Sequence, residues 1–240
     1  MYKNYIFDLY GTLVDIRTNE DSAYLWRKMN EFYGFHGAAY SISELKKEYS
    51  KLCSIEEERV KKLGLSEIRI EEVFKKLFIN KGIDISDEVV NTTCEFFRII
   101  STEFVKLYDG VIELFDELKK RDKKIYLLSN AQKVFTEPEI KYLGIWDYFD
   151  GIFISSNEQH KKPSSEFFNG LINKYNLNIK ESIMIGNDGT SDIAGANGVG
   201  MDSLYIKTEI SPEGEKPDYV KATYVIPDGD FNKISAIVLK

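Results

Sequence analysis

Four places where an apolar run gives way to polar residues carry side chains able to do chemistry together. Asp8 follows Tyr5-Ile6-Phe7, and Ser129 follows Ile125 to Leu128. Lys162 stands before Pro163, and Asn187-Asp188 with Asp192 follow Ile183-Met184-Ile185. A carboxylate such as Asp8 can attack an electrophilic phosphorus or carbon, and the ester it forms divides one hard step into two easier ones. A hydroxyl (Ser129), backbone N–H groups around Leu9 and Tyr10, and a fixed cation (Lys162) can bind oxygens of the transferred group. Asp188 and Asp192 are hard oxygen donors that, with Asp8 and the Leu9 or Tyr10 backbone, suit Mg²⁺. Taken singly each residue has a plainer role: Asp and Ser form turns, a lysine before proline is solvated, and Asp192 caps the helix after it. The combination is what points to a site.

The elements that must bring these residues together are legible from periodicity. Residues 4–9 crowd aromatic and β-branched side chains before Gly11 and read as a short buried strand ending near Asp8. From Asp21 to Leu107 apolar residues recur at three- and four-residue spacing within charged stretches, predicting about four helices. Beyond Tyr108-Asp109-Gly110 helix and strand alternate. The helices are expected over 111–121, 137–143, 166–175 and 192–197, and the strands over 124–129, 151–155, 182–185 and 203–206. Such alternation predicts an α/β fold, a Rossmann-like doubly wound parallel sheet, with the ligand crevice beyond the carboxyl ends of its strands. Residues 1–16 and 108–240 then form the core and 17–107 an inserted helical unit, hinged at Asp15 to Thr18 and near Tyr108. Its aromatic residues Tyr24, Trp26, Phe32, Tyr33 and Phe35 are expected mainly in its own core.

Composition excludes some partners. The 240 residues carry 32 Lys and Arg against 39 Asp and Glu, a net charge of −7, so no broad positive field awaits a nucleic acid. No apolar run is long enough to span a bilayer, and the segment from Met1 to Asn4 runs into the first strand without a signal-peptide layout, which points to the cytoplasm. Cys53 and Cys94 lack metal-ligand spacing and read as packing residues. The partner expected is a small anionic molecule; a monomer and a homodimer are both open.

The motifs taken in order resemble those of the haloacid dehalogenase superfamily of hydrolases, over nearly the whole chain. They stand as Phe7-Asp8-Leu9-Tyr10-Gly11-Thr12-Leu13, Leu127-Leu128-Ser129-Asn130-Ala131, Lys161-Lys162-Pro163 with Phe167-Phe168, and Ile185 to Ala196. The helical insertion resembles the family's cap. The resemblance implies Asp8 as nucleophile, Ser129 and Lys162 as its partners, and a Mg²⁺ site at Asp8, the Tyr10 backbone, Asp188 and Asp192. Lys162 is preferred to Lys161 because it directly precedes Pro163. In many relatives an Asp stands where this chain has Asn187, and Asp188 is taken as the residue facing the metal. Thr12 and Asn130 are secondary candidates for substrate contact, each with a turn-forming alternative; His160 reads as a solvated loop residue.

Tyr10 departs from the pattern. Phosphatases of the superfamily carry there an Asp that protonates the leaving alcohol, and a phenol with a reference pKa of about 10 is a poor substitute near neutrality. The first motif is similar to that of the 2-haloacid dehalogenases, whose halide leaves without a proton. Yet the acidic pair Asp188 and Asp192 suits a metal those enzymes do not need, Phe168 stands where they carry Tyr, and Arg27 is the nearest counterpart of their cap arginine. Three readings follow: a Mg²⁺-dependent phosphatase-type hydrolase, which is favoured, a metal-free dehalogenase-type hydrolase, and a metabolite-binding protein that does not turn over.

Overall fold

A computed structural model describes residues 2–239. In chain order it contains β1 (Asn4–Phe7), β2 (Val14–Thr18), α1 (Ala23–Phe35), α2 (Ile42–Lys62), α3 (Ile70–Ile79), α4 (Asp87–Ser101), β3 (Thr102–Leu107) and α5 (Val111–Lys120). These are followed by β4 (Lys124–Ser129), α6 (Lys133–Tyr142), β5 (Gly151–Ile154), α7 (Ser155–Glu158), α8 (Ser165–Tyr175), β6 (Ser182–Gly186), α9 (Ala194–Gly198), β7 (Asp202–Ile206), β8 (Tyr224–Ile226) and α10 (Asn232–Val238).

Six strands form one parallel sheet in the order β5-β4-β1-β6-β7-β8. The fold is therefore α/β with a doubly wound sheet. Alternation along each strand sends neighbours to opposite faces. Tyr5 and Phe7, Ile125 and Leu127, and Ile183 and Ile185 pack into one apolar cluster beneath α5 and α10. Ile6, Tyr126, Leu128 and Met184 pack into a second with α8. Strands buried on both faces read as unbroken apolar runs, which is why these three are visible in the sequence. Strand β1 lies at the centre, and connections run outward from it on both sides, so its carboxyl end is the switch point of the sheet.

Helices α1 to α4 share a third cluster, around Trp26, Tyr33, Phe74 and Phe97. Each stacks its apolar stripe inward: α4 buries Val90, Cys94, Phe97 and Ser101, spaced three and four apart. Of the aromatic residues expected in this core, Trp26 and Tyr33 are there and Phe32 packs at its edge, whereas Tyr24 and Phe35 are exposed. Phe135 of α6 reaches into the cluster from the sheet side. At the junction, residues Val14–Thr18 and Thr102–Leu107 form a two-stranded antiparallel ribbon, so the stretch expected to act as a hinge, Asp15 to Thr18, lies in a paired strand.

Candidate active site

Strand β1 delivers Asp8, whose N–H still donates to the Ile185 carbonyl at 2.9 Å, extending the ladder by one residue. The chain then turns tightly. The Leu9 carbonyl accepts from the N–H groups of Thr12, Leu13 and Val14 at 2.8–3.2 Å, and Gly11 adopts φ +83°. A side chain at Gly11 would meet the Asn187 amide at 2.1 Å, so glycine here serves both the turn and the close approach of the β6 loop. Thr208 Oγ1 donates to the Gly11 carbonyl at 2.8 Å and fixes the turn from a third direction. Among the described residues the N–H groups of Leu9 and Tyr10 find no acceptor, which leaves them free for an anion.

Lys162 reaches this turn from the loop after α7. Its ammonium donates to Asp8 Oδ1 at 2.6 Å and to the Leu128 carbonyl at 2.9 Å, and lies 2.7 Å from Asp192 Oδ1. Burial works against the charge, but Asp192 and Asp8 outweigh it and hold the lysine pKa above its ordinary value. Lys161, by contrast, is exposed. Asn130 fastens the Lys162 backbone with both ends of its amide: Oδ1 accepts from the Lys162 N–H at 2.8 Å and Nδ2 donates to the Lys162 carbonyl at 3.1 Å. The amide expected to contact substrate is therefore engaged in placing the lysine.

Asp192 is fully buried. Burial pushes its carboxyl up from the usual range, Lys162 draws it back, and the like charge of Asp8 pushes it up again. Its Oδ2 accepts from the Asp188 N–H at 3.1 Å, and a Cβ on Gly186 would stand 2.2 Å from that oxygen. Ser129, at the end of the adjacent strand β4, is 1% exposed, and its hydroxyl has no partner among the described residues. An orphaned buried hydroxyl costs about 1–3 kcal/mol, and this one, at the carboxyl end of a strand next to β1, is open to a ligand oxygen. Thr12 Oγ1 lies 3.4 Å from Asp8 Oδ2 and 3.2 Å from Asn187 Oδ1. Its single proton serves one of them at a time.

Two expected site residues face elsewhere. Asp188 Oδ1 accepts from the Thr190 N–H and hydroxyl at 2.7 Å each and from the Ser191 N–H at 3.0 Å, capping the wide turn Gly189–Ile193. Burial opposes the charge, yet these bonds hold its carboxyl below the usual carboxylate range. Asn187, not Asp188, is the side chain turned toward Gly11 and Thr12, because two successive residues leaving a strand point to opposite sides. Tyr10 also turns away from Asp8. Its hydroxyl donates to Glu139 of α6 and lies 3.2 Å from Thr136 Oγ1. Burial and the Glu139 carboxylate raise its pKa further from neutrality. Arg98 of α4 closes the group, with Nε 2.5 Å from Glu139 Oε1 and its guanidinium 5.6 Å from the centre of the Tyr10 ring. Arg27 instead is exposed and covers Tyr24 at 5.3 Å. Arg98 and Glu139 have no signal in sequence, since an arginine and a glutamate 41 residues apart on charged helices look like surface.

A hard cation takes oxygen ligands. Those gathered here belong to the Asp8 carboxylate and the Asn187 amide, which share Thr12 as a neighbour, with Asp192 behind Lys162. Among the described residues no three His, Cys, Asp or Glu side chains gather in metal-binding geometry. The donor set fits a cation held by one carboxylate and one amide oxygen, with Asp192 as second carboxylate. Tyr10 has only its backbone carbonyl to offer.

The family model for haloacid dehalogenase-like hydrolases matches residues 2–200. The chain belongs to this family of hydrolases. It is 25% identical over 207 residues to pyrimidine 5'-nucleotidase PynA of Streptococcus pneumoniae, covering 85% of this chain and 83% of that protein. To pyrophosphatase PpaX of Bacillus mycoides it is 24% identical over 219 residues, 90% of each chain. Among solved structures, a 2-haloacid dehalogenase from Pseudomonas syringae pv. Tomato DC3000 shares the fold with a TM-score of 0.66 at 18% identity, over 98% of this chain and 99% of that one. No helix among the described residues is long and apolar enough to cross a membrane.

Proposed function

We propose that this hydrolase removes the phosphoryl group from a small phosphorylated metabolite through an ester intermediate on Asp8, with Mg²⁺ as cofactor. The observation that carries the reading is the Lys162 ammonium between Asp8 and Asp192, beside the unpartnered Ser129 hydroxyl. Lys162 holds the nucleophile by Oδ1 and leaves Oδ2 to attack. Ser129 and the Leu9 and Tyr10 N–H groups take the phosphoryl oxygens, donors that lie fixed before the charge develops. Asp8, Asn187 and Asp192 are the residues that would hold Mg²⁺, whose bound charge offsets the repulsion between a phosphoryl dianion and a carboxylate. Relatives covering most of the chain are named as a nucleotidase and a pyrophosphatase, which agrees with phosphoryl chemistry. Helices α1 to α4 act as the cap, and substrate choice is read on their side of the cleft.

The test is hydrolysis of p-nitrophenyl phosphate with Mg²⁺ and with EDTA, with Asp8→Asn protein as control. Turnover is expected only with both Mg²⁺ and Asp8. Absence of Asp8-dependent phosphate release, with halide release from 2-chloropropionate that EDTA leaves untouched, would replace this reading by the dehalogenase one.

A further inference from the structure

When a phosphate ester of an ordinary alcohol is cleaved, the departing oxygen needs a proton from a donor within reach. Among the described residues no group around Asp8 is free to offer one. The Lys162 ammonium donates to Asp8 and to the Leu128 carbonyl, and it is held in an ion pair 2.7 Å from Asp192 Oδ1. Asp192 is fully buried behind Lys162, with Oδ2 accepting from the Asp188 N–H and Oδ1 in the ion pair with the lysine. Thr12 and Ser129 carry aliphatic hydroxyls, as weak in acidity as the alcohol that would leave. The Tyr10 hydroxyl points its proton at Glu139, away from Asp8, and that carboxylate is itself paired with Arg98. On the helical side, the loop between α2 and α3 brings Glu67 to the cleft, but its oxygens accept from Ser155 at 3.0 Å, Gln132 at 3.4 Å and the Ile68 N–H at 3.1 Å.

We infer that the substrate carries its phosphoryl group on a leaving group that departs unprotonated, as in an acyl phosphate or a phosphoanhydride. The inference rests on Asp8 acting as the phosphoryl acceptor. Asp8 Oδ2 bonds to phosphorus as the bond from phosphorus to the leaving oxygen breaks, and the electron pair goes out with a carboxylate or phosphate that is stable as an anion. Water then attacks the phosphorus of the aspartyl phosphate, the bond to Oδ2 breaks, and the Asp8 carboxylate is restored. Both protons of the water leave with the inorganic phosphate, one passing to solvent near neutrality. No step draws a proton from the protein. The Arg98–Glu139–Tyr10 group thereby serves another purpose, in which Tyr10 is a positioning residue that ties the nucleophile turn to α4 and α6.

The experiment compares kcat/KM for acetyl phosphate, inorganic pyrophosphate, p-nitrophenyl phosphate and ethyl phosphate, each with Mg²⁺ and with the Asp8→Asn control. A positioned acid is worth about 10²–10⁴-fold on a poor leaving group. Ethyl phosphate is therefore expected to fall at least ~100-fold below acetyl phosphate or pyrophosphate, whichever is faster, and that pair also tells an acyl phosphate from an anhydride. In Tyr10→Phe protein the same dependence on leaving group is expected. Asp8-dependent turnover of ethyl phosphate within ~100-fold of the best substrate, or a dependence that steepens in Tyr10→Phe, would show a working acid and overturn the inference alone. Loss of Asp8-dependent turnover on all four substrates would remove the phosphatase reading and this inference with it.

Discussion

Replacing Lys162 by Met tests the centre of the site, because the side chain keeps its length and loses its charge. Wild-type Lys162 is 3% exposed and compensates two carboxylates, at 2.6 and 2.7 Å, and the Leu128 carbonyl at 2.9 Å. In the variant Asp192 keeps the Asp188 N–H and Asp8 keeps Thr12, but two buried like charges face each other with no cation. Breaking a buried pair by removing one partner costs about 3–5 kcal/mol. At about 2–4 °C per kcal/mol for a chain of this size, the melting temperature should fall by roughly 6–20 °C at neutral pH. The sign with pH follows from linkage. Burial already holds the Asp192 carboxyl above its unfolded value of about 4, and without the ammonium that draws it back it rises further, so the folded state binds more protons than the unfolded one between the two. Stability that is present below the unfolded pKa is then lost as pH rises through the folded values. Calorimetric melts of both proteins at pH 5 and pH 8 should show a larger deficit at pH 8. A deficit below ~1 kcal/mol, or one equal at both pH values, would mean that the two carboxylates do not depend on Lys162.

Two further outcomes are expected. Gly186→Ala places a methyl carbon 2.2 Å from Asp192 Oδ2 and must displace that carboxylate; a loss of about 1–3 kcal/mol from overpacking and of roughly 10²-fold in p-nitrophenyl phosphate hydrolysis should follow, and unchanged turnover would detach Asp192 from the site. Burial pushes the Cys53 thiol up to about 11 and raises Cys94 further, so near pH 8 both are protonated and should react slowly with a disulfide reagent until the protein is denatured. One thiol per native chain reacting at the rate of a free cysteine would contradict this.

The parts of the molecule legible in sequence are those where one physical signal dominates. The central strands betray themselves because Tyr5-Ile6-Phe7 and Ile183-Met184-Ile185 are buried on both faces, leaving no polar alternation to confuse with a surface strand. The ribbon of β2 and β3 reads in sequence as helix and loop because its alternation is short and interrupted by exposed Arg17, Glu103 and Lys106. Helix α6 starts four residues before its expected beginning, at Lys133 rather than Glu137. Pro138 in its second turn looks like a start signal, while Val134 and Phe135 answer to the helical unit's core. At the site, Asp8, Ser129 and Lys162 are reachable because each ends or follows a strand. The choice between Asn187 and Asp188 is not, since it depends on how the turn after β6 rotates, and Thr190 and Ser191 decide that by binding Asp188. Tyr10 is legible as a departure, but its partners Glu139 and Arg98 come from other elements of the fold.

The two departures, Tyr10 and Asn187, bear on the same quantity, the charge that meets the substrate. The buried cluster sets two carboxyl groups, Asp8 and Asp192, against the single ammonium of Lys162, and a carboxylate at position 187 would add a third acidic group. The amide lowers the repulsion toward a phosphoryl dianion, and it equally weakens the pull on a divalent cation, because each ligand charge lost lowers affinity. Tyr10 acts in the same direction. An aspartate at position 10 would add a further negative charge beside Asp8, whereas the phenol adds none and delivers its hydroxyl to the Glu139–Arg98 pair. A site poorer in negative charge and lacking a free acid suits a substrate whose own leaving group accepts the charge. Tyr10 and Asn187 thus describe one adjustment, in which the leaving group takes over work that a carboxylic acid would otherwise do.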